Sequence, residues 1–429
     1  MKKLSLTILV GLILAVAAGA SQATTYYVST TGADTNPGTQ ALPWATIQYA
    51  VQTIAAGDTI LVMPGTYAGA RIEFSGAAGA PKTLKAQTAG TVNITTLSAQ
   101  ARHSGLIEVE NYNAPVNYWV IDGFVCNGNN GAYRPIDCRS TDAQKNSYVT
   151  VTNNQAFGAL STGIACGHTD YLDVEHNTSH NNPNEHGTYM NNSSDYGTIK
   201  YTLSYSNYGC CMHFNGDKKT GGGDGIMSYW MIAKNVGYSC TGGGAINMDG
   251  VSDSSLFNNL MYANTGTGIT FYATDASLPS SRDKVYNNTI CTPSNGRNTT
   301  LFTKSGKSGP TGDILKNNIL LNDNAGKCSI CTYASNAAGF VSDYNVVTNK
   351  FSINGGSTII PLTTWRTYGY DTHSVLVTDP TTLFVNYGSD FHLKAGSPAI
   401  NAGTTVTEVT DDLDGHARVV PYDIGCYEY

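Results

Sequence analysis

Residues 149–166 read VTVTNNQAFGALSTGIAC, and residues 172–190, one repeat later, read LDVEHNTSHNNPNEHGTYM. Each stretch joins an alternating strand to a polar pair that ends in asparagine, and a second short strand follows after a glycine. The same asparagine recurs through the middle of the chain, with Thr202 standing where one more would fall. The recurring pairs are Asn153-Asn154, His176-Asn177, Lys234-Asn235, Asn258-Asn259, Asn287-Asn288 and Asn317-Asn318.

The spacing of these asparagines predicts the fold. From Asn154 the steps are 23, 25, 33, 24, 29 and 30 residues. A unit of this length cannot bury its own apolar face, whereas stacked copies can, each pairing with its neighbours at about 4.8 Å. The frame of a leucine-rich repeat is missing, and a β-sandwich would not keep this register. We therefore predict an all-β fold, a right-handed parallel β-helix with three sheets over residues 101–350, in which the asparagines form a ladder.

Composition agrees with a solenoid rich in turns. Only 13% of the 429 residues are charged, and the chain contains 46 glycines and 27 tyrosines. Such a composition excludes a coiled coil, and a hydrophobic content of 41% excludes a disordered chain. The net charge of −7, without a basic run, argues against a nucleic-acid partner.

The N-terminus has the pattern of a signal peptide. Lys2 and Lys3 precede an apolar stretch from Leu6 to Ala18, which is too short to span a membrane, and the small residues of a cleavage site follow. We predict a signal peptide over residues 1–23 and a secreted protein, extracellular or at the cell surface, without a transmembrane segment in the mature chain. All ten cysteines lie in that mature part, where disulfides can form, although the sequence does not fix their pairing.

Both ends of a solenoid need covering. At the N-terminal side Trp44, Ile47, Val51 and Ile54 recur at helical spacing, which predicts an amphipathic helix laid over the first coil. The sequence here resembles the N-terminal cap of pectate-lyase-like β-helix proteins, a polysaccharide lyase-like superfamily. The resemblance is carried by Gly32-Ala33-Asp34, Asn36-Pro37-Gly38-Thr39, Pro43-Trp44-Ala45-Thr46-Ile47, Gly57-Asp58-Thr59-Ile60 and Pro64-Gly65-Thr66-Tyr67.

The C-terminal part resembles the tail called a choice-of-anchor domain in exported bacterial β-helix proteins. The matching stretches are Asp390-Phe391-His392-Leu393, Gly396-Ser397-Pro398-Ala399-Ile400-Asn401-Ala402-Gly403 and Asp423-Ile424-Gly425-Cys426-Tyr427. The expected organisation is a signal peptide (1–23), an N-terminal cap with the first coils (24–100), the β-helix repeats (101–350) and a β-rich C-terminal tail (351–429). Because this architecture serves lyases, hydrolases, epimerases and adhesins, the resemblance implies a fold more than a chemistry.

Aligning the second strand of each unit predicts which side chains face outward, since strand residues alternate between two faces. One inward column is Ile164, Thr188, Met212, Ile246 and Ile269, and another is Cys166, Met190, Phe214, Met248 and Phe271. The outward candidates are Arg139, Tyr189, Asn191, His213, Asn215, Asn247 and Asp249, flanked by His186 and Asp217. Insertions around Lys218-Lys219 and Gly221-Gly222-Gly223-Asp224 are placed to form a wall beside this column.

This set suits a lyase that cleaves an acidic, uronate-containing polysaccharide by β-elimination. Such an enzyme needs a group that binds the carboxylate, a base and an acid. His213 is the candidate base, Tyr189 the candidate acid and Arg139 the candidate carboxylate ligand. We expect Asn191, Asn215, Asn247, Asp249, His186 and Asp217 to contact substrate.

Other functions remain open. A hydrolase needs two carboxylates at about 5 to 9.5 Å, and this alignment shows no paired acids on adjacent rungs. Asp137 and Asp249 leave room for calcium, and no organic cofactor is indicated. The chief alternative is a non-catalytic glycan-binding, adhesin or matrix protein, which the acidic net charge favours slightly because it gives no attraction to a polyanion.

Overall fold

The structure is a computed structural model that describes residues 23–129, 131–220, 222–303 and 309–429. Residues 1–22 of the predicted signal peptide and Gly221 of the predicted wall lie outside the described residues. The chain winds into a right-handed parallel β-helix of three sheets, as predicted, and between Thr59 and Ser352 successive strands of these sheets follow the order A, B, C.

The strands of each sheet are parallel throughout. Sheet A consists of Thr25–Val28, Thr59–Val62, Lys82–Ala86, Asn117–Asp122, Asn146–Thr152, Thr169–Glu175, Thr198–Lys200, Met231–Ala233, Ser255–Phe257, Lys284–Tyr286, Ile314–Lys316 and Val341–Asp343. Sheet B consists of Gly65–Ala68, Val92–Thr96, Phe124–Asn127, Gln155–Phe157, Thr178–His180, Leu203–Tyr205, Val236–Tyr238, Leu260–Tyr262, Thr289–Thr292, Ile319–Asn322, Val346–Val347 and Val375–Leu376. Sheet C consists of Ala70–Ile72, Gly105–Val109, Arg134–Cys138, Ile164–Gly167, Thr188–Asn191, Met212–Asn215, Gly244–Asp249, Thr267–Tyr272, Thr300–Phe302, Ile330–Cys331 and Phe351–Ser352.

Shorter elements complete the fold. A parallel pair joins Met227–Ser228 to Val251–Ser252, and an antiparallel pair joins Phe384–Asn386 to Asp390–Leu393. The α-helices are Ile47–Thr53 and Leu362–Arg366, and the 3-10 helices are Asp142–Gln144, Ala334–Asn336 and Pro380–Thr382. No helix in the described part of the chain is both long and apolar enough to cross a membrane.

The predicted asparagine ladder is confirmed. The Asn154 backbone N–H donates to Asn177 Oδ1 at 3.0 Å, and the Asn259 N–H donates in the same way to Asn288 Oδ1 at 3.0 Å. Thr202 does occupy the missing position, since its N–H donates to Asn235 Oδ1 at 3.0 Å. The ladder continues one coil further than predicted, to Asn345. Because these side chains are buried, the ladder satisfies backbone groups that the turns leave unpaired.

Near the N-terminus a two-turn helix begins after Thr46, whose side chain accepts a hydrogen bond from the Tyr49 N–H. The helix buries Ile47, Ala50 and Val51 and packs against the first strands of sheets A and C. These apolar residues join the core that runs along the centre of the solenoid.

The chain after Leu376, where the last strand of sheet B ends, packs on the outer face of that sheet. Phe384, Phe391 and Ile424 are buried against strand residues such as Leu260 and Ile319. Two disulfides are present, Cys211–Cys240 and Cys328–Cys331, and the other six cysteines are free and buried. The solenoid strand residues of this apolar cluster belong to sheet B, so the outward side chains of sheet C lie outside it.

Candidate functional site

The register of sheet C places the predicted columns as expected. Tyr189 lies opposite His213 on the next strand, and Asn191 lies opposite Asn215. His213 in turn lies opposite Asn247. Both inward columns are also confirmed from Ile164 to Ile269 and from Cys166 to Phe271. Successive strands, called rungs below, are about 4.8 Å apart, so side chains of neighbouring rungs can contact one sugar residue together.

A cleft of about 240 Å³ opens beside this column. Its lining includes Arg134, Arg139, Asn191, Asp217 and Thr220. Gly167, on the rung between those of Arg139 and Asn191, helps to keep it open, because a Cβ there would approach Asn191 Oδ1 to 2.2 Å. Thr220 belongs to the insertion that was predicted to form a wall, so part of that insertion does border the site.

Tyr189 contacts Arg134, one of the residues that line the cleft. Its hydroxyl accepts a hydrogen bond from Asn215 Nδ2 at 3.1 Å. The guanidinium of Arg134 lies over its ring at 5.9 Å from the ring centre. Burial raises the pKa of Tyr189 to about 12, so the phenol keeps its proton at neutral pH.

The rings of His186, Tyr189 and His213 pack together, with centroids 4.7 Å apart for the two histidines and 5.0 Å apart for Tyr189 and His213. A chain of hydrogen bonds connects them to Tyr272. The backbone N–H of Cys210 donates to His186 Nδ1 at 2.9 Å, His186 Nε2 is 3.1 Å from His213 Nδ1, and His213 Nε2 is 3.2 Å from the Tyr272 hydroxyl.

The first of these hydrogen bonds fixes the direction of the others. A backbone N–H can only donate, so His186 Nδ1 is unprotonated and neutral His186 carries its hydrogen on Nε2. That hydrogen points to His213 Nδ1, so neutral His213 carries its own hydrogen on Nε2 and donates it to Tyr272. Burial keeps both rings neutral, because it lowers the pKa of His186 to about 4 and that of His213 well below its ordinary value.

His186, Cys210 and His213 also form a group whose side-chain ligand atoms lie within 4.8 Å of one another, in the part of the chain that the structure describes. Both nitrogens of His186 and both nitrogens of His213 take part in the hydrogen bonds just described. Burial also raises the pKa of the Cys210 thiol to about 12, so without a metal the thiol keeps its proton. The group is therefore held as a neutral hydrogen-bonded cluster.

A charged network occupies the earlier rungs of the same face. Asp137 lies opposite Glu108, and its carboxylate is 2.9 Å from Arg139 Nη2 and 3.6 Å from Arg134 Nη1. The prediction that adjacent rungs carry no paired acids was therefore wrong. The alignment missed Glu108 because it did not extend back to Gly105–Val109.

Glu108 and Glu110 have different roles in this network. Glu108 accepts three backbone hydrogen bonds, from Arg102, His103 and Gly105, each at 2.8 Å, and so holds a turn. Glu110 is buried, and burial followed by the charge of Glu108 raises its pKa to about 7. Strand alternation in Glu108-Val109-Glu110 was the signal that could have revealed both residues.

Several predicted site residues have structural partners. Asp249 is buried and accepts backbone hydrogen bonds from Thr274 at 2.8 Å, Asp275 at 3.0 Å and Ala276 at 3.3 Å, so it holds a turn. Asp137 and Asp249 are separated by four rungs, about 19 Å, so they cannot ligate the same calcium ion.

A family profile described as "Protein of unknown function (DUF1565)" matches residues 30–74. No curated protein sequence matches the chain significantly. Among solved structures, pectate lyase Pel9A is similar with a TM-score of 0.65 and 16% identity over 96% of this chain and 97% of that one.

Two further solved structures show the same architecture. XylC in complex with xylose has a TM-score of 0.54 and 11% identity, covering 94% of this chain and 98% of that one. The A-module of a mannuronan C-5 epimerase from Azotobacter vinelandii has a TM-score of 0.50 and 12% identity, covering 75% and 91%. At these identities the similarity establishes the pectate-lyase-like β-helix fold of this chain and leaves its chemistry to the site.

Proposed function

We propose that this protein is a secreted, polysaccharide-active β-helix protein that cleaves an acidic, uronate-containing glycan by β-elimination on the outer face of sheet C. The observation that carries the proposal is a contact series: the Arg134 and Arg139 guanidinium groups line the cleft, Arg134 lies over the Tyr189 ring, and that ring packs beside the His213 imidazole. Two structures of similar fold, a pectate lyase and a mannuronan epimerase, are named for activity on uronate polymers.

The uronate carboxylate would bind at the arginines. The Nε atom of Arg134 is buried and lacks a hydrogen-bond partner among the described residues, and Arg139 Nη2 is buried with the Asp137 carboxylate 2.9 Å away as its ion-pair partner. Buried donors of this kind seek an acceptor, which a carboxylate supplies in bidentate geometry. Binding there withdraws charge from the carboxylate and makes the neighbouring C–H more acidic.

His213 would remove the proton from the carbon next to the carboxylate, and the electron pair left behind would form a carbon–carbon double bond as the glycosidic C–O bond breaks. The free lone pair of neutral His213 is on Nδ1, which His186 now occupies, so this hydrogen bond must open when substrate binds. Tyr189, which retains its proton, would donate that proton to the leaving oxygen. His213 would then release the proton it took to solvent, and Tyr189 would recover one from solvent.

A non-catalytic glycan-binding, adhesin or matrix role is the alternative. It is favoured by the balance of charges around the cleft, where the described arginines Arg71, Arg102, Arg134 and Arg139 face the acids Glu73, Glu108, Glu110 and Asp137. A balanced network attracts a polyanion only at short range. Secretion is proposed from the pattern of residues 1–23, and exclusion of nucleic acid from the net charge.

The test is to incubate the mature protein with a panel of uronate polysaccharides, with and without calcium, and follow the ultraviolet absorbance of the unsaturated uronate. We expect Tyr189→Phe and His213→Ala to lower the rate at least about 100-fold, in line with the loss of one acid or base. Tyr205→Phe, on the outer face of sheet B, is the matched control and should leave the rate unchanged. No absorbance change on any substrate, with glycan binding retained, would favour the non-catalytic alternative.

A further inference from the structure

Five tyrosines lie one above another on the outside of sheet A, away from the sheet C cleft. The residues of this tyrosine column are Tyr118, Tyr148, Tyr171, Tyr196 and Tyr229. Consecutive rings are stacked, with centroids 4.7 to 5.0 Å apart and planes within 12° of parallel. The chain thus presents one phenol ring per coil over five consecutive coils.

The backbone at these positions is unfavourable for tyrosine. All five residues have a positive φ, from +52° at Tyr171 to +63° at Tyr229. This left-handed region suits glycine and asparagine, whereas a bulky residue there is strained. Two later coils have glycine at the same place, Gly312 and Gly339, with φ of +76° and +73°. The fold therefore accepts the unstrained residue at this corner, and local conformation does not explain the five tyrosines.

Burial does not explain them either. Tyr148, Tyr171, Tyr196 and Tyr229 are 45%, 44%, 48% and 53% exposed, and the apolar core does not include them. Stacked rings that neither the core nor the turn requires point to a contact made on the outside of the molecule.

A groove of about 450 Å³ runs beside the column. Its floor is the outer face of sheet A, with Val120, Thr150 and Asp173, and one end is closed by Gly79 and Pro81. Among the described residues that line it there is no lysine or arginine, and Asp173 contributes a carboxylate. The groove therefore disfavours a polyanion, including the acidic glycan proposed for sheet C.

We propose that the tyrosine column and this groove bind a neutral polysaccharide chain that lies along the axis of the solenoid. A sugar surface alternates C–H and O–H groups, and a tyrosine edge offers both apolar ring atoms and a hydroxyl at low entropic cost. One ring per rung repeats the same contact five times, which suits a polymer of identical units. The site lies on a different sheet from the proposed catalytic cleft and does not depend on the lyase proposal.

The experiment measures co-sedimentation of the mature protein with insoluble neutral polysaccharides of several linkages, and native gels containing soluble neutral or acidic ones. The test variant is Tyr148→Asn with Tyr171→Asn, because asparagine accepts a positive φ and the fold should be kept. We expect at least a tenfold weaker retention on a neutral polysaccharide, with thermal stability and any uronate elimination unchanged.

The matched control is Tyr205→Asn with Tyr238→Asn, which interrupts the second stack of rings, on sheet B, where ring centroids are 5.1 Å apart. Retention of this control should equal that of the unmodified protein. The proposal is overturned if no neutral polysaccharide retains the protein or if both variants lose retention equally. A change of oligomeric state in the test variant, seen by size exclusion with retention unchanged, would also overturn it and identify the column as an interface between copies.

Discussion

The outer face of sheet C handles ionisable groups in two different ways along its length. On the rungs Gly105–Val109 and Arg134–Cys138 the acids have cationic or backbone partners, since Asp137 lies 2.9 Å from Arg139 and Glu108 accepts three backbone hydrogen bonds. On the rungs Thr188–Asn191 and Met212–Asn215 the groups are kept neutral, and hydrogen bonds between His186, His213 and Tyr272 satisfy them. The backbone is the same, so the difference comes from the side chains and their burial.

This comparison teaches how one sheet can supply two kinds of chemistry. A paired network provides charges that already compensate one another. The free energy of unfolding falls strongly when one partner is removed. A neutral network provides a lone pair and a phenolic proton at ordinary pH, and it reacts to the loss of a hydrogen-bond partner by a smaller amount. Three changes distinguish these two kinds of network.

The largest effect is expected for Asp137→Ala. This change leaves Arg139 and Arg134 close together without their carboxylate, so the free energy of unfolding should fall by about 3 to 5 kcal/mol. Urea unfolding followed by circular dichroism measures it. The control is Asp275→Ala, which removes the exposed ion pair with Lys219 and should change the free energy of unfolding far less. Equal losses would mean that the network contributes no more than a surface pair.

The second effect depends on pH. Glu110 has a pKa of about 7 in the folded protein against 4.5 ordinarily, so the folded state binds a proton more tightly than the unfolded state. The contribution of this proton to the free energy of unfolding is complete below pH 4.5 and is lost as the pH rises through 7. It amounts to at most about 3 kcal/mol. Comparison of unfolding at several pH values for the unmodified protein and Glu110→Gln should show this loss only in the former.

The neutral network around His186 and His213 should show the opposite dependence of the free energy of unfolding on pH. Burial lowers the pKa of His186 to about 4, so its contribution to the free energy of unfolding is present above pH 6.5 and is lost as the pH falls toward 4.

If Glu110→Gln and the unmodified protein show parallel pH profiles, the carboxyl of Glu110 does not titrate in the way described here.

The smallest effect is expected for Tyr272→Phe. The change removes the acceptor of the His213 Nε2–H, 3.2 Å away, and should lower the free energy of unfolding by about 1 to 2 kcal/mol. Thermal unfolding measures this loss. The control is Tyr262→Phe, which also removes one tyrosine hydroxyl but keeps the ring that stacks on Tyr238. A loss of free energy as large as that of Asp137→Ala would contradict the distinction between the paired and the neutral network.

Much of the fold could be predicted because its signals are local and repeated. The asparagines gave the coil length, and the alternation after Gly163 and Gly187 gave the inward columns that the strand register confirms. The roles of Tyr189, His213 and Arg139 stay predictions, and the sequence could place them only by register. It could not show that the Cys210 backbone N–H determines the tautomer of His186, because the two groups are 24 residues apart along the chain.

The missed residues have the same cause. Glu108 and Glu110 stand before the regular repeats, so the alignment that found Asp137 did not reach them. The tyrosine column was also hidden, because the left-handed backbone at Tyr148 and Tyr171 has no signature in residues that normally avoid it.

The sequence by itself determined the three-sheet β-helix, its asparagine ladder and which side chains face inward, because a period of two along a strand and a recurring turn need only neighbouring residues. The tertiary structure decided the rest. It determined which groups are charged or neutral, since burial and partners from other coils set the pKa of Glu110 and of His213. It also determined which aromatic rings stay exposed, since only the packed coils show which faces the C-terminal segment covers.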